Sequence, residues 1–109
     1  MRNLNSMWGS MSLHTLLLKF IEGITDASTR ADIVSTFSVL TEAYRAGRID
    51  DQTLKKALYE LCLDVLIEKH PLTDIELLKH EAEGWAEKFY RAIRAKTMRE
   101  RYGAILPPE

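Results

Sequence analysis

Glu60, Asp64 and Glu68 fall at i, i+4 and i+8, a spacing that stacks three carboxylates on one helix face. Such a row can hold a divalent cation when a second helix supplies further oxygen ligands. No second carboxylate row is legible, so the strip reads as solvated, with an arginine or lysine from a neighbouring helix as the next choice of partner. His14, His70 and His80 are scattered. His80 lies near Glu83, but no H-E-x-x-H pattern or second histidine at i+4 accompanies it. Cys62 is the only cysteine and sits in an apolar run, so neither an internal disulfide nor a thiolate zinc site can form, and a buried inert thiol is expected. Gly-rich phosphate loops, G-x-S-x-G turns and Cys/His pairs at catalytic spacing are absent from the sequence. No catalytic, cofactor-binding or metal-binding residue is assigned, and an enzyme is not expected.

The chemistry that remains is charge. Arg91, Arg94, Lys96, Arg99 and Arg101 gather near the C-terminus and can meet phosphates, with Tyr102 placed to stack on a base. Glu100 and Glu109 offset part of that charge. On a helix, Glu76, His80, Glu83, Glu87, Arg91, Arg94, Met98, Arg101 and Tyr102 share one face, acidic in its first half and basic in its second. A solvated surface complementing the helix dipole would show the same segregation. So would two copies paired antiparallel about a centre near Lys88 and Phe89. That pairing sets Glu76 opposite Arg101, Glu83 opposite Arg94, and Glu87 opposite Arg91, the self-complementarity a two-fold interface requires. The candidate self-association face is Glu76, Glu83, Glu87, Arg91, Arg94, Met98, Arg101 and Tyr102.

Four helices must position these residues. The first is expected over residues 13–22, capped by Ser12 and stopped by Gly23. The second is expected over 29–46, with Asp26 or Ser28 as cap and Gly47 as stop. The third follows Asp50 and runs to Lys69, where His70-Pro71 ends it. Its apolar surface is broad enough to predict a central helix surrounded by the others. The fourth opens with a capping box at Thr73-Asp74-Ile75-Glu76 and runs to Tyr102, before Gly103. Its core stripe is Ile75, Leu78, Ala82, Trp85, Ala86, Phe89 and Ile93. Beyond Ile93 the positions one turn on are polar (Lys96, Thr97, Glu100), which predicts that the last turns project from the bundle. The apolar tail, Ile105-Leu106-Pro107-Pro108, is expected to fold back onto it. The short turn at Ala46-Gly47-Arg48-Ile49-Asp50 could join a helix-turn-helix unit, but two long flanking helices favour a plain antiparallel hairpin.

These elements give an all-α, antiparallel four-helix bundle with an overlong C-terminal helix. At 109 residues the chain fits one domain, placed at 12–109. Residues 1–11, with three methionines and a Gly-Ser pair, read as a flexible or non-native segment. The net charge of −1 supplies no global attraction to nucleic acid or anionic lipid. No apolar run approaches a membrane span and no secretory signal pattern opens the chain, so a cytoplasmic protein without a membrane partner is expected. The scarcity of Asn and Gln (Asn3, Asn5 and Gln52) fits a thermophilic source. The function expected from these features is a protein–protein interaction or assembly module, a homodimer or part of a larger assembly. The alternative is a nucleic-acid-binding accessory protein using the basic end.

Overall fold

A computed structural model describes residues 12–102, with the side chain of Tyr102 outside that description. It contains α1 (Leu13–Phe20), α2 (Ala27–Arg45), α3 (Asp51–Lys69) and α4 (Ile75–Tyr102), and no strand among the described residues. The readings of residues 1–11 and of the tail 103–109 lie outside the described residues.

Each helix begins and ends for a local reason. Ser12, Asp26 and Asp50 accept from the backbone N–H three residues on, at Thr15, Thr29 and Thr53. At the fourth start the cap moves by one residue. The Asp74 carboxylate accepts from the Glu76 N–H at 3.2 Å, so Asp74 occupies the position expected for Thr73, and the reciprocal capping box does not form. Helix α2 closes with paired bonds from Gly47 N–H to Tyr44 C=O and from Arg48 N–H to Ala43 C=O. Gly47 takes the positive φ of 78° that this ending requires. Helix α1 ends at Phe20, short of the expected Glu22. Lys69 donates to its last carbonyl, Phe20 C=O, at 2.9 Å, and Arg30 donates to Ile24 C=O in the turn that follows at 2.9 Å.

Helices α3 and α4 form the principal contact; α1 packs on α4 and α2 on α3. Tyr90 of α4 reaches Asp51 at the start of α3, so the two run antiparallel and α4 continues well past its neighbour. Phe20, Phe37 and Phe89 join α1, α2 and α4 in one aromatic cluster, with centroids 4.4 Å apart for Phe37–Phe89 and 5.4 Å for Phe20–Phe89. Helix α3 buries one stripe completely (Leu54, Leu58, Cys62, Val65 and Leu66), while Tyr59, Leu61 and Leu63 are half-buried and Ile67 is exposed. Four helices are too few to surround it, so its wide apolar surface is only partly covered. Trp85 is likewise half-buried.

The end of α4 does not project. Thr97 is 2% exposed, and Glu100 and Arg101 fasten the last turns to the end of α2. The polar residues beyond Ile93 therefore continue the buried stripe as a polar contact with the α2–α3 turn.

Candidate functional site

Two groups of side chains on α4 carry the chemistry, one outward and one against the α2–α3 turn. The outward group holds Glu76, Glu83, Glu87, Arg91 and Met98, all exposed; Arg94 is exposed as well, with its guanidinium toward Asp51 and Tyr90. Glu87 and Arg91 form an ion pair at 2.8 Å within the helix, Glu76 approaches Lys79 at 3.4 Å, and His80 lies 3.9 Å from Glu83. Gly84, within the acidic half, would meet nothing within 4 Å if it carried a Cβ.

Arg101 belongs with the second group. Its guanidinium donates to the Arg45 carbonyl at 3.0 Å, capping the C-terminal end of α2, while Arg45 pairs with Glu100 at 2.7 Å and with Glu42 at 2.8 Å. Lys96 stands 3.9 Å from Glu100. A cleft of about 240 Å³ opens between these side chains and Ala46. The Thr97 hydroxyl lines it, buried and without a hydrogen-bond partner among the described residues.

Beside this network the sequence hid a further cluster. Asp51, in the first turn of α3, accepts from Tyr44 at 2.7 Å and from Tyr90 at 3.0 Å, so one carboxylate ties α2, α3 and α4 together. The two tyrosine hydrogen bonds hold Asp51 below its ordinary carboxylate value, and the charges of Arg94 and Lys55 act in the same direction. Burial pushes the Tyr44 hydroxyl up to about 12, with the hydrogen bond to Asp51 and its charge adding to the shift. Tyr90 is raised for the same reasons, and the Lys55 ammonium sits 4.7 Å from its ring centroid. A carboxylate that accepts from two neutral phenols is a weaker base, and through these bonds it braces three helices. It borders an open cleft of about 410 Å³ lined by Tyr44, Gly47, Ile49, Asp50, Asp51, Gln52 and Arg101.

Comparison with protein-family models, with curated proteins and with solved structures finds no match.

The remaining sequence candidates are dispersed. Glu60, Asp64 and Glu68 lie exposed along α3, and among the described residues no group of three or more His, Cys, Asp or Glu converges to hold a metal ion. Cys62 is buried, and that burial lifts its thiol to about 12, far from the thiolate a nucleophile needs. Of the basic residues, Arg91 and Lys96 face glutamates and Arg101 holds the α2 carbonyl; Arg94 lies beside Asp51, and Arg99 is exposed. Among the described residues no helix is long and apolar enough to cross a membrane. The Asp51 cluster left one faint trace in the sequence. Tyr90 follows Phe89 at the edge of the core stripe, where a buried ring needs a partner for its hydroxyl.

Proposed function

We propose that this chain is a small helical assembly module that self-associates through α4. The observation that carries the reading is the common centre of three charge pairs. Glu76/Arg101, Glu83/Arg94 and Glu87/Arg91 are symmetric about a point at Lys88 and Phe89, and all six residues are exposed along one helix. Two copies in that register overlap along the whole of α4. The intrahelical Glu87–Arg91 bond is compatible with it, because two such pairs back to back place four charges in an alternating square. Arg101 is already engaged at the end of α2 and Arg94 lies beside Asp51 and Tyr90, so the central Glu87/Arg91 pairs contribute most to the register.

Exposed ion pairs contribute only ~0–1 kcal/mol each and so set orientation more than affinity. Glu83→Arg should weaken the dimer by placing two like-charge contacts across the axis, and adding Arg94→Glu should restore it, read by sedimentation equilibrium. High salt should favour the monomer. A monomer at high micromolar concentration removes the proposal. Retention of labelled DNA or RNA that falls steeply with salt, and is lost in Arg94→Glu with Arg101→Glu, would instead favour the nucleic-acid reading of Arg91, Arg94, Lys96, Arg99 and Arg101.

A further inference from the structure

Helix α3 keeps an apolar row that the other described helices cover only in part. Tyr59, Leu63 and Ile67 fall at i, i+4 and i+8 and so form one ridge along the helix. The ridge starts against the bundle and winds off it. Asp51 and Lys55, earlier on the same row, both meet Tyr90 of α4. Tyr59 and Leu63 are half-buried, and Ile67 is 39% exposed.

The neighbouring ridge is the carboxylate row. Glu60, Asp64 and Glu68 each follow a member of the apolar row by one residue, and all three are exposed. Lys56 opens that row, yet none of the ion pairs among the described residues includes it or the three acids. Like charges one turn apart repel, so the row costs the free chain some stability. Three exposed carboxylates by themselves are a solvated strip. Here they stand beside an apolar ridge, and the groove between two such ridges accepts a ridge of another helix, the axes crossing at about 50°.

We propose that this groove of α3 receives an amphipathic helix of another protein, one that sets a row of Lys or Arg beside a row of aliphatic side chains. The aliphatic row packs on Leu63 and Ile67, and the cations meet Glu60, Asp64 and Glu68. Charge decides the class of occupant. Residues 1–11 hold one cationic side chain, Arg2, and residues 103–109 hold none, so neither segment of this chain can match three carboxylates. A second copy fits poorly, because the arginine-rich half of α4 offers only Ala95 and Met98 as exposed apolar neighbours. The groove lies on α3, so the proposal stands whether or not α4 pairs with itself. From Tyr59 to Ile67 the ridge spans about 12 Å. The contact is therefore small and reversible, and its charges contribute orientation and association rate more than affinity.

The probe is a labelled peptide of four Leu-Lys-Ala-Gln repeats, whose four-residue period sets leucines on one row and lysines on the next. The control peptide carries Glu in place of Lys. Fluorescence anisotropy with the full chain reads binding. The lysine peptide should bind with a Kd that rises with salt, and the glutamate peptide should not bind. Glu60→Gln/Asp64→Asn/Glu68→Gln should raise the Kd at least tenfold while melting at the same or a higher temperature, because the repulsion along the row is gone. Ile67→Ser, at an exposed position, should raise the Kd at least threefold with the fold retained by circular dichroism. Asp32→Asn, an exposed acid on α2, should change nothing. A lysine peptide that does not bind overturns the proposal. So does binding that Asp32→Asn weakens as much as the triple change, or that Ile67→Ser leaves unmoved, since either would reduce the contact to unspecific charge attraction. An unmodified chain that self-associates and is dissociated by Ile67→Ser would put a second copy in the groove and equally overturn it.

Discussion

Asp51 and its two tyrosines show how a single residue can tie three helices, and they make a pH prediction at both ends of the scale. Asp51 is held low by Tyr44 and Tyr90, and Asp26 and Asp50 are held low by the side-chain and backbone groups of Thr29 and Thr53. A carboxylate with a lowered folded pKa favours the folded state above its unfolded value, here 3.8, and that contribution disappears as the pH falls through the folded pKa. Tyr44 acts in the opposite direction. Its folded pKa of about 12 lies above the ordinary 10.0, so its contribution is complete below pH 10 and is lost as the pH rises toward 12. The melting temperature should therefore hold a plateau that drops below about pH 4 and above about pH 10. Tyr44→Phe should remove much of the alkaline drop. An alkaline limb unchanged in that variant would mean that Tyr44 is not the group responsible. None of this was legible from Asp51 alone, because its partners lie seven and thirty-nine residues away.

At the scale of the helix, α4 carries a glycine where nothing requires one. Gly84 has no positive φ, and a methyl group there would meet nothing within 4 Å. Gly84→Ala should therefore stabilise the chain by up to ~1 kcal/mol, through helix propensity and a less entropic unfolded state. Denaturant titration checks this, and a loss of stability would show that the small residue has a packing role. The site lies next to the proposed two-fold seam, so a variant that is more stable as a monomer yet dimerises poorly would locate the close approach of two helices there. Helix starts and stops were largely readable, since Ser12, Asp26, Asp50 and Gly47 act through neighbours one turn away. The end of α4 was misread for the converse reason. Thr97, Glu100 and Arg101 look like a solvated turn until the α2–α3 turn is brought against them.

For the whole molecule, packing divides the apolar residues of α3. Leu58 is fully buried, whereas Leu61 is half-buried on the same helix. Leu58→Ala should cost ~2–5 kcal/mol, and Leu61→Ala roughly half of that, since less area returns to water. Equal losses would mean that another surface covers Leu61, and a concentration dependence of its effect would identify a second copy. By itself the sequence determined the helical class, the four elements, most of their caps, the apolar stripes and the charge symmetry of α4, because all of these depend on spacing along one helix. Only the tertiary structure decided which part of each stripe is covered, that Arg45, Glu100 and Arg101 fasten the end of the long helix, and that Asp51 joins three elements. Those outcomes depend on which helices meet and at what offset, a property set by packing among segments distant in the chain.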